Sequence, residues 1–372
     1  MAGIYVHIPF CKSRCIYCGF FSTTQLSERK RYVDTLCSEL MRRKDFLRGQ
    51  TVETIYLGGG TPSLIDAEDV ERLLHHIYNI YNVCDKAEIT LEANPDDLTP
   101  DHLNTLHATG INRLSIGVQT FSDTRLQLLR RRHNARQALA AVDNAQQAGF
   151  SNISIDLMFG FPSQTPSEWE HDVRQALSLG VQHLSAYSLM YEEGTKLSHM
   201  LDTGEVDEVD EEVSLQMYEH LIDATAQAGF EHYEISNFAL PGMQSRHNSS
   251  YWHGIPYLGI GAGAHSYDGH NRSHNPTSLA TYLAGTSSPQ VEHLTDNERY
   301  DEYVFTALRT SAGIDLTDLA HKFGHTLMDY CLTNASPHIA AGRLIHLGTT
   351  LRLTRQGLFV SNDIMSDLMR VE

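Results

Sequence analysis

Three cysteines near the start of the chain are spaced as ligands of an iron–sulfur cluster. Cys11, Cys15 and Cys18 form a C-x3-C-x2-C pattern that directly follows an apolar run at residues 4–8. Three thiolates on one short loop can hold three irons of a cubane, which leaves the fourth iron without a protein ligand and able to chelate a small molecule. A structural zinc site, with His7 as its fourth ligand, is the alternative interpretation.

Glycines and polar side chains stand at the ends of the next apolar runs. Three glycines followed by Thr61 and Pro62 end the second run, Glu92 ends the third and Gln119 ends the fourth. Glycines let a backbone approach a ligand closely, although such a run also fits an ordinary turn. Asp156 lies within the fifth run, where a carboxylate is costly unless it is hydrogen-bonded, so a site role is favoured over a structural one. Arg131 belongs to three adjacent arginines, which also fit a solvated helix face.

The apolar runs alternate with stretches of helical periodicity, which predicts a parallel sheet. The predicted strands are 4–8, 54–58, 87–93, 113–118, 153–159 and 183–189, and the predicted helices are 27–47, 66–81 and 122–148. The candidate site residues fall at the carboxyl ends of successive strands, where barrels place their chemistry. The predicted fold class is therefore α/β, an incomplete parallel (β/α)6 barrel, in preference to an open doubly wound sheet.

A smaller helical domain is predicted at the end of the chain. Its elements are helices at 298–309, 316–322 and 326–334 and strands at 344–347 and 351–354. Three helices and a hairpin resemble a winged helix. The expected domains are a barrel at 1–230, a connecting segment at 231–296 and a winged-helix-like domain at 297–372.

The composition excludes several classes of partner. The chain has 28 Lys and Arg against 46 Asp and Glu, a net charge of −18, which would repel nucleic acid and anionic lipid. The sequence has no apolar run long enough to span a bilayer and no signal-peptide pattern, so a cytoplasmic protein is expected. Cys37, Cys84 and Cys331 are isolated and are interpreted as small core residues.

The sequence resembles the radical S-adenosylmethionine (SAM) superfamily, whose defining motif is the cysteine loop after the first strand. Within it, the chain is similar to the branch that contains the oxygen-independent coproporphyrinogen dehydrogenase HemN and the haem chaperone HemW. The similarity covers nearly the whole chain and is carried by Tyr5–Cys11, Gly58–Pro62, Gly117–Phe121 and Ile155–Leu157. The resemblance implies a [4Fe–4S] cluster whose open iron binds SAM and cleaves it to a 5′-deoxyadenosyl radical.

The resemblance also assigns a SAM pocket, residue by residue. The implied lining residues are Tyr5, Gly59, Gly60, Thr61, Glu92, Gln119, Arg131 and Asp156. In that pattern Arg131 would meet the SAM carboxylate, and Gln119 and Asp156 would meet the ribose hydroxyls. The sequence departs from the HemW pattern at Arg130, where relatives commonly have glycine, and this leaves the local backbone open.

Three features favour the chaperone over the dehydrogenase. Phe20 stands where the dehydrogenase has a further cysteine, and little sequence precedes Cys11, whereas the dehydrogenase has a long amino-terminal extension. The third feature is the HNSSYW sequence, which matches the HNxxYW signature of HemW. The residues implied in haem binding are His247, Asn248, Tyr251 and Trp252.

The HNSSYW sequence also has a physical interpretation of its own. A neutral imidazole such as that of His247 can ligate haem iron, and Tyr251 and Trp252 offer flat apolar surface to a macrocycle. A polar loop packed on the barrel mouth is the alternative, and His253 and His265 are further candidate ligands.

The function that the resemblance implies is delivery of haem to acceptor proteins, namely respiratory haem proteins, with the cluster and SAM supporting assembly or transfer. Monomeric and dimeric forms are expected. The alternative function is an enzyme that oxidatively decarboxylates coproporphyrinogen III, against which Phe20 and the short amino-terminal segment weigh. A zinc-stabilised interaction module is a third, remote alternative.

Overall fold

A computed structural model describes residues 1–285 and 288–370. Residues 286–287, in the predicted connecting segment, and 371–372, in the predicted last domain, lie outside the described residues. The strands are β1 (Ala2–Ile8), β2 (Val52–Gly59), β3 (Val83–Ala93), β4 (Arg113–Gln119), β5 (Ile153–Phe159), β6 (His183–Ser188), β7 (Glu231–Glu234), β8 (Asn237–Ala239), β9 (Tyr257–Ile260), β10 (His265–Tyr267), β11 (Asn271–His274), β12 (Gln290–His293), β13 (Ile314–Asp315), β14 (Leu344–Leu347) and β15 (Thr350–Leu353). The helices are α1 (Arg29–Arg42), α2 (Ala67–Ile80), α3 (Pro100–Ala108), α4 (Asp123–Leu128), α5 (Ala135–Gln147), α6 (Pro166–Ser178), α7 (Lys196–Asp202), α8 (Glu211–Gln227), α9 (Arg246–Trp252), α10 (Leu279–Leu283), α11 (Asp296–Leu308), α12 (Leu316–Phe323), α13 (His325–Ala340), α14 (Arg355–Leu358) and α15 (Ser361–Leu368).

Six parallel strands, β1 to β6, lie side by side in chain order. A doubly wound sheet would reverse its strand order at a switch point, whereas right-handed crossovers between sequential strands place all their helices on one face. The prediction of an α/β fold with six parallel strands is therefore confirmed. Within the described ranges the sheet stays open, because its outermost strands β12 and β7 each pair on one side only.

The two faces of these strands differ in chemistry because successive side chains point to opposite faces. One face, the outer face, carries aliphatic side chains that form the main core with the helices, among them Val6, Leu57, Leu91, Ile116, Ile155 and Leu184 from the strands and Leu36, Leu74 and Val173 from the helices. Full burial of each such side chain is worth about 1.5–3 kcal/mol. The other face, the inner face, carries mainly polar side chains and glycines, among them Tyr5, Tyr56, Glu92, Arg113, Asp156 and His183.

The segment at 231–296 adds strands to both edges of the parallel sheet. Strands β7 and β8 join it beside β6, and β9 pairs with β1 in the parallel direction. Helix α9 lies between these additions in the chain and contacts β1 and β2. A segment distant in sequence thereby becomes the neighbour of the first strand.

One predicted helix is wrong. The stretch at 122–148 is divided into α4 and α5, because Arg130 takes a left-handed backbone conformation (φ 57°) and Asn134 starts a new helix with a capping box. The isolated cysteines largely match the prediction: Cys37 and Cys331 are buried, whereas Cys84 is half-buried and packs against the core.

The predicted helical domain at the end of the chain is confirmed in its elements. Helices α11, α12 and α13 and the hairpin β14–β15 fall close to the expected positions, and β13 completes a three-stranded sheet. Tyr300, Leu319 and Leu351 belong to a core separate from that of the parallel sheet. Among residues 1–285 and 288–370, no helix is both long enough and apolar enough to cross a membrane.

Candidate functional site

The cysteine loop begins just beyond the carboxyl end of β1 and is tied to neighbouring backbone. The N–H of Cys11 donates to the carbonyl of Thr23 at 2.9 Å, and the N–H of Thr23 donates to the carbonyl of Pro9 at 2.7 Å. The N–H of Ile16 donates to Leu129 at 3.3 Å. These bonds fix the loop against the end of the sheet.

Two glycines of β2 and the turn after it are required by close contacts. A Cβ at Gly60 would lie 2.8 Å from the carbonyl oxygen of Phe10, directly before the cysteine loop. Gly59 has φ 117°, a region that L side chains rarely adopt, and its N–H donates to Oε2 of Glu92 at 2.9 Å. The glycine run therefore lets the loop lie directly over the end of β2, which an ordinary turn would not require.

A cavity of 610 Å³ opens at the carboxyl end of the parallel strands. All three cysteines of the loop and seven of the eight predicted SAM-pocket residues line it, namely Cys11, Cys15, Cys18, Gly59, Gly60, Thr61, Glu92, Gln119, Arg131 and Asp156. The strand order thus brings together residues that span 146 positions of the sequence. Their roles toward SAM stay predictions.

The surroundings of the thiols suit a cluster. Thr61 Oγ1 lies 3.5 Å from the sulfur of Cys11, and Arg131 Nη1 lies 3.5 Å from that of Cys15, so two sulfurs have a neighbouring donor. Burial raises the pKa of the Cys11 and Cys18 thiols, which therefore hold their protons until a metal displaces them.

His7 does not serve as a fourth ligand beside the cysteines. Its Nε2 lies 3.1 Å from the carbonyl of Phe21, and its Nδ1 lies 3.1 Å from the hydroxyl of Tyr5. Throughout the described ranges, no three side chains of histidine, cysteine, aspartate or glutamate converge on a single-ion site. The contacts of His7 therefore do not favour it as a fourth zinc ligand.

Arg131 is held inside the cavity wall and does not belong to a solvated helix face. Its Nη2 donates to the carbonyl of Gly117 at 2.5 Å and to the side-chain oxygen of Asn94. Its Nε is buried without a partner among the described residues. Arg130, directly before it, takes a left-handed backbone conformation (φ 57°), which glycine adopts more readily than arginine does.

Two carboxyl groups line the cavity from the inner face. Burial raises the pKa of Glu92 to about 7, although Tyr56 O–H and Gly59 N–H donate to its two oxygens at 2.8 and 2.9 Å. Burial likewise raises the pKa of Asp156, to which Ser115 donates at 3.4 Å. Near neutral pH, Glu92 is thus able to hold or release a proton inside the cavity.

Tyr5 differs from the expectation, because it is absent from the cavity lining. Its hydroxyl meets Nδ1 of His7, and its ring stacks on Tyr56 with centroids 6.1 Å apart and on His247 with centroids 6.4 Å apart. Tyr5 therefore lies deeper within the inner face, between the cavity and α9.

The HNSSYW sequence forms α9 at the opposite, amino end of the parallel strands. The backbone N–H groups of Arg246 and His247 donate to Glu88 at 3.1 and 3.0 Å. In the His247 ring, Nδ1 meets the Thr54 hydroxyl and Nε2 meets the Tyr251 hydroxyl, both at 2.8 Å. The imidazole is 1% exposed, and burial lowers its pKa to about 3.

The placement of His247 bears on its predicted role toward haem. The helix lies at the amino end of the sheet, and both ring nitrogens have hydroxyl partners, one of which a haem iron would have to replace. The role of His247 as a haem ligand stays a prediction. Asn248 is half-buried, and its backbone N–H donates to Ser245 Oγ at 3.3 Å. Tyr251 and Trp252 line a second cavity, of 760 Å³.

Sequence reasoning missed several residues of the cysteine cavity. Asn94 orients Arg131, and Tyr187 and Met190 stand exposed at the cavity edge. Arg113, which is buried at 1% exposure on the inner face outside the lining, was also missed. Asn94 and Tyr187 follow or end predicted strands, which is a signal that could have found them. Arg113 had no such signal, because it starts its strand.

The chain matches two family models. Residues 5–176 match the radical SAM superfamily, and residues 294–360 match the HemN C-terminal domain.

Curated relatives align along nearly the whole chain. Heme chaperone HemW of Bacillus subtilis is 36% identical, with 98% of this chain and 98% of the relative covered. Heme chaperone HemW of Mycobacterium tuberculosis is 34% identical, with 99% and 94% covered. The mitochondrial radical S-adenosyl methionine domain-containing protein 1 of Bos taurus is 35% identical, with 99% and 87% covered.

Among solved structures, coproporphyrinogen III oxidase (HemN) from Escherichia coli superposes with a TM-score of 0.85 at 23% identity, covering 99% of this chain and 90% of that one. At this level of identity the match establishes the shared fold alone.

Proposed function

Because the chain belongs to the HemW family within the radical SAM superfamily, we propose that it is a haem chaperone, which binds haem and passes it to acceptor proteins. The observation that carries the proposal is the similarity along the full length to proteins named Heme chaperone HemW. The acceptors that we propose are respiratory haem proteins, met in the cytoplasm by a chaperone that is monomeric or dimeric.

The cofactors of the proposed chaperone are a [4Fe–4S] cluster and SAM. Cys11, Cys15 and Cys18 would hold three irons, and the open iron would supply a site that chelates a small molecule. Arg131 and Asp156 would orient SAM within the same cavity. The buried carboxyl of Glu92 would hold a proton beside it.

Haem is the cargo of the proposed chaperone. The net charge of −18 supports proteins rather than nucleic acid as partners, because it repels phosphates. Phe20, at the edge of the cysteine cavity and 71% exposed, replaces the further cysteine of the dehydrogenase. This substitution supports the chaperone over the enzyme.

An anaerobic comparison on reconstituted protein tests the proposal. Haem binding is measured by absorbance titration, and decarboxylation of coproporphyrinogen III is measured beside it with reductant and SAM. We expect haem binding, little or no decarboxylation, and transfer of haem to an apo-acceptor in a mixing experiment. Steady multiple turnover of coproporphyrinogen III without haem binding would overturn the chaperone in favour of the enzyme.

A further inference from the structure

The backbone at the end of β4 is strained. Gln119, the last residue of this strand, has φ 68°, a left-handed conformation that costs free energy in any residue other than glycine. The N–H of Thr120 donates to the carbonyl of Val118 at 2.9 Å, which closes a three-residue turn around Gln119. A turn of this kind with positive φ is rare. Such conformations persist only where the surrounding structure enforces them, so neighbouring contacts must hold Gln119 in place.

A buried carboxyl group from another helix holds this turn. Asp172 lies on α6 and is 2% exposed. It accepts hydrogen bonds from the hydroxyl of Thr120 at 2.6 Å and from the N–H of Phe121 at 2.9 Å. The Thr120 hydroxyl itself accepts from the N–H of Ser122 at 3.0 Å. Because buried polar groups need such partners, these bonds fix the two residues that follow Gln119.

The turn places the side chain of Gln119 in the cysteine cavity, beside Arg131. Gln119 lines the cavity and is 9% exposed. A Cβ at Gly117 would lie 3.0 Å from Nε2 of Gln119 and 3.2 Å from Nη2 of Arg131, so both side chains lie over this glycine. Among the described residues, no hydrogen bond engages the Gln119 amide. Its donor and acceptor are therefore available to a ligand in the cavity.

We propose that Asp172 is a positioning residue for SAM, which holds the Gln119 amide at the cavity wall through the strained turn. Asp172 lies outside the cavity lining, so it acts on the ligand through Gln119 rather than by contact. An amide that offers both a donor and an acceptor suits the hydroxyl groups of a nucleoside. The inference rests on the proposed function, because SAM is a cofactor of the proposed chaperone.

SAM binding to the reconstituted full-length protein tests the inference, with the dissociation constant measured by equilibrium dialysis without oxygen. Asp172→Ala and Gln119→Ala should each weaken SAM binding by roughly three- to tenfold, the change that losing one hydrogen bond usually causes. The double variant should bind SAM no more weakly than Gln119→Ala alone, because the losses do not add when one residue acts through the other. The iron content of all three variants should stay that of wild type.

Two milder variants test the same contacts if Asp172→Ala does not fold. Asp172→Asn keeps an oxygen for the N–H of Phe121 and can donate to the Thr120 hydroxyl, so it should restore most of the wild-type affinity. Thr120→Val removes the hydroxyl and should weaken SAM binding as Asp172→Ala does.

Glu168→Ala is the matched control on α6. Glu168 accepts from the N–H of Thr165 at 2.8 Å in the capping box of this helix and makes no bond to the turn around Gln119. Its loss should destabilise α6 and leave the affinity for SAM unchanged.

The outcomes separate the inference from the function. Wild-type affinity for SAM in Asp172→Ala and Thr120→Val, additive losses in the double variant, or an equal loss in Glu168→Ala would overturn the positioning role and leave SAM as a cofactor. Absence of SAM binding by wild type with its full iron content would overturn the proposed cofactors, and the positioning role with them.

Discussion

The two ends of the parallel strands are built from the same inner face but differ in what covers them, since the carboxyl end opens into the cysteine cavity and α9 packs against the amino end. At the carboxyl end, Arg131 keeps a buried Nε without a partner in the described structure, and Glu92 is a buried carboxyl of raised pKa. At the amino end, both nitrogens of His247 are bonded, and Glu88 accepts from the start of α9. Buried polar atoms without a partner in the described structure occur at both ends, because Arg113 Nε and Trp252 Nε1 lack one too, so the difference lies in the open cavity with its three cysteines. The comparison indicates a ligand site at one end and a structural seal at the other.

The largest expected effect is at the carboxyl end. Cys15→Ala should lose most of the roughly four irons per chain that a cubane provides, because the two remaining thiolates hold it poorly. The measurement is iron and acid-labile sulfide on protein purified without oxygen. Cys84→Ala is the matched control, since Cys84 is a half-buried cysteine outside the cavity lining, and it should keep its iron. Full iron in Cys15→Ala would remove the cluster assignment.

The next effect is at the amino end. His247→Ala removes a buried ring and leaves the hydroxyls of Thr54 and Tyr251 without a partner, so we expect a loss of about 2–4 kcal/mol in the free energy of unfolding. Denaturant unfolding measures this loss, and the iron content of the folded fraction should stay that of wild type. Loss of iron from folded protein would mean that the two ends are coupled, and the comparison would fail.

Titration of His247 and of Glu92 should change the free energy of unfolding with pH in opposite directions. His247 has a folded pKa of about 3 against an ordinary 6.5, so its contribution is present above pH 6.5 and is lost as the pH falls toward 3. Glu92 has a folded pKa of about 7 against an ordinary 4.5, so the unfolded state loses its proton first and stability falls as the pH rises from 4.5 to 7.

Unfolding free energies of wild type and Glu92→Gln between pH 4.5 and 7 test the second slope. The free energy of unfolding of the variant should rise relative to that of wild type as the pH rises, by at most about 3 kcal/mol, since one pKa unit corresponds to about 1.4 kcal/mol. On acidification below pH 6.5, His247→Gln should lose less of its free energy of unfolding than wild type does. Parallel curves for wild type and both variants would contradict the assigned burial of these groups.

The smallest effect concerns the backbone before Arg131. Arg130→Gly should raise the free energy of unfolding by about 1 kcal/mol, because a left-handed conformation costs a non-glycine residue that much. Arg174→Gly is the matched control: Arg174 is exposed within α6, where glycine should destabilise by a similar amount. Equal destabilisation by both changes would rule out strain at Arg130.

The carboxyl end could be predicted from the sequence much better than the amino end. The cysteine loop and Gly59 can be recognised from local residue spacing, and parallel strands bring their carboxyl ends to one edge of the sheet. The location of His247 depends on β9 pairing with β1, a contact between distant segments that no local periodicity reports. The position of Tyr5 outside the cavity lining has the same origin, since its ring stacks on that of His247 in α9. The division at Arg130 was missed because arginine ordinarily continues a helix.

The pairing of β1 with β9 also sets an order of events during synthesis. Gly3 aligns with Tyr257, so the first strand lacks one of its two neighbours until the chain has grown by about 250 residues. At roughly 5–20 residues per second, this interval lasts on the order of 10–50 seconds, during which one edge of β1 stays unpaired. The cysteine loop extends from this strand and is therefore not fully supported until late in translation. Iron loaded before that point would meet a first strand with one edge still unpaired.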